Sequence, residues 1–331
     1  MVMSEKDLPL LSVITPVYNG ADFLEETLLS LVASDYPNIE FIVLDDGSKD
    51  DSAAIAERVL SASGRKYTLV RKENSGEADT DNQGLALAKG QFIAIVNCDD
   101  PIKSTLFTES IAVFMREPDV VVTYPDWEMI DERGNLLKQV EVKEYSLASL
   151  LGDLNCLPGP GAVIRRSAIK SPVLRQPEFR FTSDYRQWLT LSSQGRFSRI
   201  PKSLCTFRIH SAQQTSQAAG LTQAREMIAC IDDFYQSGNV TLEALQLKKQ
   251  AQSMALYLAA VQSLHRGGVP GRKYLVRSLF MGFKRLPGSD SNRRSIVLMI
   301  LIAINPLGRT LSQIAIRRRQ RIAIKNSAKN L

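Results

Sequence analysis

The sequence predicts an α/β fold, a mixed but largely parallel sheet flanked by helices, followed by a helical and basic C-terminal extension. Three observations carry that prediction. Strand-length apolar runs alternate with helix-period segments from Leu10 to Tyr124. Two of those runs end in paired acids, Asp45-Asp46 and Asp99-Asp100. From Leu221 onward the pattern turns to helix alone.

The elements follow in order. Leu10 to Val17 reads as the first strand, closed by the turn signal Tyr18-Asn19-Gly20. A helix from about Asp22 places Leu24, Leu28 and Leu31 on one face and ends before Pro37. Ile39 to Leu44 is the second strand and runs into Asp45-Asp46-Gly47-Ser48, after which Asp50 or Asp51 caps a helix with Ile55 and Val59 inward. Tyr67 to Val70 is the third strand, and a helix carrying Leu85 and Leu87 follows. Phe92 to Val96, unbroken and apolar between Gly90 and Pro101, reads as a strand buried on both faces. Leu106 to Met115 reads as a helix, Val120 to Tyr124 as a strand, and Met129 to Val142 as a hairpin about Glu132-Arg133-Gly134-Asn135. Val163-Ile164, Phe197 to Ile200 and Leu204 to Ile209 are short later strands, with a helix starting near Asp184 between them. Met227, Ile228, Ile231 and Phe234 make one helical stripe, Gly238-Asn239 breaks it, and Leu245, Leu247, Met254 and Leu258 make another.

The 331 residues accommodate one large domain or a domain with an appendage. An apolar fraction of 44% with 23% charge suits a globular chain with a sizeable core. The four cysteines, Cys98, Cys156, Cys205 and Cys230, have neither zinc-site nor disulfide spacing, which fits a reducing cytoplasm. The segment Met1 to Asp7 lacks a secretory pattern, and no apolar run approaches the roughly 20 residues that span a bilayer. Residues 266–331 hold 15 Lys/Arg against one acid, while residues 1–265 hold 26 against 34. An acidic body with a basic tail predicts that the tail meets something anionic.

The strand ends at Asp45-Asp46 and Asp99-Asp100 fall on one edge of a parallel sheet, where open α/β folds place their ligand. Two readings stand for Asp99-Asp100: oxygen donors for a divalent cation carrying a phosphorylated ligand, or a solvated turn with one Asp as N-cap.

With these motifs in order, residues 9–215 resemble the family 2 glycosyltransferases, which have the GT-A fold, use a nucleotide-activated sugar and invert the anomeric centre. Ser12-Val13-Ile14-Thr15-Pro16-Val17-Tyr18-Asn19 is similar to the family's opening strand, so the resemblance implies that Pro16, Tyr18 and Asn19 lie along the nucleotide. Val43-Leu44-Asp45-Asp46-Gly47-Ser48 is similar to its second motif and implies base contact by Asp46. Asn74-Ser75-Gly76 through Asp81-Asn82-Gln83-Gly84 matches the helix leading to the metal motif and adds Asn82 to the nucleotide set. Asn97-Cys98-Asp99-Asp100 stands at the Asp-x-Asp motif, adding Asn97 and Asp99 to the nucleotide set. Phe207-Arg208-Ile209-His210 resembles a late segment whose His completes the metal site, and Asp184, followed by Trp188-Leu189, stands at the catalytic base.

The resemblance therefore implies a divalent cation, Mn or Mg, held by Asp99, Asp100 and His210, a UDP-, dTDP- or GDP-sugar donor, and a surface-glycan or lipid-linked saccharide acceptor. Carboxylate, imidazole and metal suit this chemistry because charge builds on the departing diphosphate while the acceptor hydroxyl loses its proton. Asn97 replaces the motif's first Asp, as in a subgroup with Asn-x-Asp-Asp, and Asp81 stands where an Arg is common. Plainer readings stay beside these: Asp46 as a turn residue, Asp184 as a helix N-cap, His210 as structural, Trp188 as core, and Gly159-Pro160-Gly161 as a loop bordering no site. A catalytically silent GT-A module that binds or scaffolds is the rival function, with Asn97 its support.

The division expected is an N-terminal tail over 1–8, a GT-A domain over 9–215 and a helical region over 216–331. Within the last, Ile296 to Ile304 is too short to cross a bilayer and reads either as a buried helix or as a peripheral helix drawn to anionic lipid through residues 266–331. A cytoplasmic protein on the inner face of a membrane is expected. Nucleic acid is not, for want of aromatic interleaving or a recognised binding motif.

Overall fold

The computed structural model describes residues 8–154, 158–211, 213, 221–265, 273–274, 276–278 and 281. Strands β1 (Leu11–Val17), β2 (Ile39–Asp45), β3 (Lys66–Arg71) and β4 (Phe92–Ile95) are the parallel half of one sheet, ordered β3-β2-β1-β4. The sheet continues through β7 (Val163–Arg165), antiparallel to β4, then β5 (Val120–Ile130) and β6 (Leu136–Val140). Strand β8 (Arg196–Arg208) runs parallel to β5.

Every residue of β1 and β2 is buried, because both faces of these strands are covered. Alternate residues divide between two cores. Val13, Phe41 and Val43 face the helices α1 (Ala21–Val32), α2 (Ser52–Ala62) and α4 (Leu106–Arg116). Ile14, Ile42 and Leu44 face α3 (Glu77–Leu87), and the same cluster continues through α5 (Leu147–Gly152), α6 (Ser183–Ser192), α7 (Leu221–Gln236) and α8 (Leu242–His265). Each such aliphatic side chain contributes about 1.5–3 kcal/mol by leaving water. Helix α3 lies close on the sheet because residue 84 is Gly: a Cβ there would meet Ile14 Cγ2 at 2.4 Å.

The structure departs from the sequence reading in several places: β5 runs unbroken over Val120–Ile130, and α5 has no counterpart in that reading. The segments around Phe197 and Leu204 form one strand: β8 pairs along its length with β5 and meets Ile102 only in an isolated bridge at Cys205, so Pro201 is tolerated and the register shifts opposite Pro125–Trp127 absorb it. Helix α8 packs the expected Leu247, Met254 and Leu258 and adds Ala244, Ala251, Ala255, Leu256, Tyr257, Ala259 and Ala260, whereas the expected Leu245 is 46% exposed. No helix among the described residues is long and apolar enough to cross a membrane. Ile296 to Ile304 and the arginines after it lie outside the described residues.

Candidate active site

The parallel register aligns Val17 with Asp45 and Ile14 with Ile95, so Tyr18, Asp46 and Asn97 emerge at one edge of the sheet. Pro16 is buried inside β1, while Tyr18 and Asn19 are exposed just past its end. Asn19 takes a left-handed backbone, φ 49°, and ties this turn to the next one. Its N–H donates to Ser48 Oγ at 2.9 Å, and its Oδ1 accepts from Lys49 N–H at 2.9 Å.

Asp46 is 3% exposed and fixes the loop after β3. Its Oδ1 accepts from Ser75 N–H at 2.8 Å and its Oδ2 from Gly76 N–H at 2.9 Å, with Lys72 Nζ also on Oδ1. Gly76 then adopts φ 90°, open to glycine at no steric cost, as the chain enters α3. Asp45 has a local role, accepting from Ser48 N–H at 3.0 Å. The plain turn reading therefore fits Asp45, and Asp46 organises a wider loop beside the strand ends.

Past β4, the structure brings Asp99 and His210 together, with Oδ2 and Nε2 2.9 Å apart. The His210 ring packs on Phe23, centroids 4.7 Å apart. Asp100 turns the other way: its Oδ1 accepts from Arg208 N–H at 2.9 Å, and its Oδ2 lies 3.3 Å from Asn97 Nδ2. Burial, with Asp99 beside it, pushes the Asp100 carboxyl up to about 8. Arg208, which is 1% exposed, holds this corner together. It donates to Asp99 O at 3.0 Å, Asp131 O at 3.2 Å and Glu26 Oε2 at 2.6 Å, so α1, the β5–β6 turn and the Asp99 backbone share one cation. Burial also pushes the Cys98 thiol up, which leaves it without thiolate character.

A carboxylate oxygen and an imidazole nitrogen meeting at one point suit Mn or Mg, with phosphate oxygens filling the other positions. Of the three ligands the sequence suggests, Asp99 and His210 form that pair and Asp100 anchors β8. Among the described residues no group of three His, Cys, Asp or Glu side chains forms a metal cage.

Asp184 lies in the first turn of α6, with its Oδ1 2.7 Å from Tyr185 N, and the N-cap position falls to Thr182. A helix N-terminus favours an anion there. Trp188 is core, 5% exposed and edge-on to Phe197. Gly159 to Gly161 pack on β5 and β8, where the Cys205 thiol donates to Pro160 O at 3.0 Å.

Asn82 is engaged within the protein. Its Oδ1 accepts from Leu174 N–H at 2.9 Å and Arg175 N–H at 3.0 Å, and its Nδ2 donates to Arg175 O at 2.6 Å. Neighbouring Asp81, 1% exposed, lies 2.9 Å from Arg175 Nη1, which also pairs with Glu77 at 2.7 Å. The Asp81–Arg175 approach is close but poorly aligned for hydrogen bonding, and neither Asp81 oxygen has a well-directed donor. Burial accordingly pushes the Asp81 carboxyl up to about 7, Arg175 opposing and Glu77 adding.

Comparison with known proteins decides the family. The model for Glycosyl transferase family 2 matches residues 12–171. An uncharacterized glycosyltransferase of Rickettsia prowazekii is 32% identical over 220 residues, 63% of this chain and 67% of that protein. One from Haemophilus influenzae is 32% identical over 184 residues, 55% of this chain and 72% of that protein. The chain belongs to glycosyl transferase family 2. As a family 2 glycosyltransferase it is a nucleotide-sugar-dependent enzyme, which sets aside the silent-module alternative. Its GT-A fold is shared with S. aureus TarS 1-349 in complex with UDP-GlcNAc, at TM-score 0.64, 20% identity, 82% of this chain and 79% of that one. A Pyrobaculum calidifontis mannosyltransferase in complex with GDP-Man and Mn2+ aligns at TM-score 0.55 and 17% identity, over 93% and 84% of the two chains.

Asp184 and His210 lie beyond the matched residues of this glycosyltransferase. Arg175 and Arg208 escaped sequence reasoning. For Arg208 the motif around it was a signal; for Arg175 there was none, because its partners are distant in sequence.

Proposed function

We propose that this glycosyltransferase moves a sugar from a UDP-, dTDP- or GDP-sugar to a hydroxyl of a surface-glycan or lipid-linked saccharide, with inversion. The observation that carries this reading is the Asp99–His210 pair at the strand edge, beside the ordered Asp46 loop. The GDP-Man and Mn2+ of the archaeal neighbour and the UDP-GlcNAc of TarS support the donor class. A Bacillus subtilis relative described as a putative teichuronic acid biosynthesis glycosyltransferase, 28% identical over 191 residues, supports the acceptor class.

In this reading Asp46, with Pro16, Tyr18, Asn19 and Asn97 nearby, receives the nucleotide, and Asn82 supports it from behind by holding the 174–175 segment. Asp99 and His210 would hold a divalent cation, with Asp100 fixing their geometry; the cation supplies charge neutralisation for the departing nucleoside diphosphate. Asp184 takes the proton from the acceptor hydroxyl as its oxygen bonds to the anomeric carbon and the sugar–phosphate bond breaks. One displacement inverts the centre.

The basic region, residues 266–331, would hold the enzyme on the anionic inner face of a membrane while the 9–215 unit acts in the cytoplasm. Deletion of 290–331 is expected to move the protein from membrane to soluble fractions; an unchanged distribution contradicts this attachment.

The deciding test for the chemistry is nucleoside diphosphate release in the presence of a saccharide-lipid extract. Asp184→Asn is expected to lower turnover by at least about a thousandfold while keeping donor binding. Wild-type turnover in that variant would contradict the base assignment.

A further inference from the structure

The largely buried Arg175 side chain has no role yet in the chemistry described so far. Arg175 belongs to the segment between β7 and α6, and its side chain is 11% exposed. Asn82 clamps its backbone with the three hydrogen bonds given above, a fixture more rigid than a surface loop needs. Its guanidinium then reaches Asp81 and Glu77 on α3 from one side and approaches Gln187 Oε1 on α6 at 3.4 Å from the other. Gln187 is three positions after Asp184, so the two share a helix face. Arg175 also interacts electrostatically with Asp184, after its larger interactions with Asp81 and Glu77.

We propose that Arg175 is a positioning residue for Asp184, tying the donor-side helix α3 to α6 through Gln187 so that the carboxylate is held toward the acceptor. The proposal rests on the reading of Asp184 as base. It accounts for features that packing leaves unexplained. Two carboxylates, Glu77 and Asp81, meet one guanidinium whose Nε approaches Gln187 on α6, and Asp81 is buried without a well-directed donor. Burying acids around an arginine is a poor route to stability, because well-packed apolar residues do as well or better. It is a good route to fixing one geometry, since the fork of Arg pairs with groups on two elements at once. Asp81, standing where an Arg is common in the resembling family, is thus the inner partner of an Arg supplied from another segment.

The test is a double-mutant cycle on the full chain, read first by thermal unfolding without ligand. The variants are Arg175→Gln, Asp184→Asn and both together. Coupling predicts that Asp184→Asn shifts Tm upward by about 2–4 °C more in the Arg175→Gln background than in wild type, because an acid without its cation is then removed. Equal shifts in both backgrounds would overturn the proposal. The second readout separates positioning from plain structure: Arg175→Gln should lower kcat about tenfold or more and leave nucleotide-induced stabilisation by UDP, GDP, dTDP or CMP unchanged. Arg175→Lys should recover part of kcat. Loss of nucleotide binding with unchanged kcat would overturn the proposal too. If Arg175→Gln does not fold, Arg175→Lys is read instead: kcat should fall with nucleotide-induced stabilisation unchanged, and wild-type kcat overturns the proposal. Wild-type turnover in Asp184→Asn alone would overturn the base reading, whereas the thermal cycle reports on the Arg175–Asp184 link independently.

Discussion

Glu40, at the N-terminal edge of the parallel strands, and Asp81, on α3 toward the ligand side, are both buried carboxylates, 5% and 1% exposed. Glu40 Oε1 accepts from Ser12 Oγ at 2.6 Å and Lys89 N–H at 2.6 Å, and Lys66 Nζ lies 3.3 Å from Oε2. Burial pushes Glu40 up, yet those donors together hold it below the ordinary carboxylate range. Asp81 has one poorly aligned arginine, shared with Glu77, and burial wins. The difference teaches where this molecule invests its donors. Glu40 is fully satisfied and serves stability, whereas Asp81, one helix away, is buried short of donors.

The largest effect that could break this contrast is at Asp184, whose Asn variant should lose activity by at least about a thousandfold with little change in Tm. Next is Glu40→Gln, which should cost about 2–3 kcal/mol by weakening charge-assisted bonds at a buried site. Correctly folded Glu40→Gln protein should keep its turnover per molecule. A Glu40 variant that unfolds no earlier, or that folds well and loses catalysis, would break the division of labour.

The pH dependence sharpens the same comparison. Glu40 has a lowered folded pKa, so its contribution is complete above the unfolded value near 4.5 and disappears as pH falls through the folded value. The penalty of Glu40→Gln should therefore shrink on acidification below about pH 4. Asp81 has the opposite sign. With its folded value raised to about 7, the folded state binds the extra proton, and stability falls as pH rises from about 4 through 7. Relative to wild type, Asp81→Asn should gain a few degrees of Tm between pH 5 and pH 8. A gain in the other direction would mean that Arg175 outweighs burial there. A comparable effect on stability is expected of Gly84→Ala, about 1–3 kcal/mol from crowding Ile14 and Leu44, without loss of turnover in folded protein.

Much of the parallel half was legible because strands buried on both faces show as unbroken apolar runs: Phe92 to Ile95 and Ile39 to Leu44 needed no other clue. The meeting of Asp99 with His210, and the place of Asp46 at the same sheet edge, were legible through the ordered motifs around them. The burial pattern of α8 was legible only in part, since Leu247, Met254 and Leu258 pack as expected while much of the buried face is alanine and Leu245 is exposed. Pro201 suggested a break that an edge strand tolerates. The engagement of Asn82 with residues 174–175, and of Asp81 with Arg175, depends on a segment returning from β7 to α3, a proximity that local periodicity does not encode.

The central claim is that the C-terminal edge of the sheet holds a nucleotide-sugar through Asp46, Asp99 and His210. The most direct measurement is thermal stabilisation of the full chain by UDP, GDP, dTDP and CMP, each with Mn, Mg or chelator, compared with Asp99→Asn. At a hundredfold its dissociation constant a ligand adds about 2.7 kcal/mol, a readily measured shift. The account predicts stabilisation by one nucleotide class that requires metal and is lost in Asp99→Asn. Stabilisation that survives both chelator and Asp99→Asn, or none with any nucleotide, would contradict it.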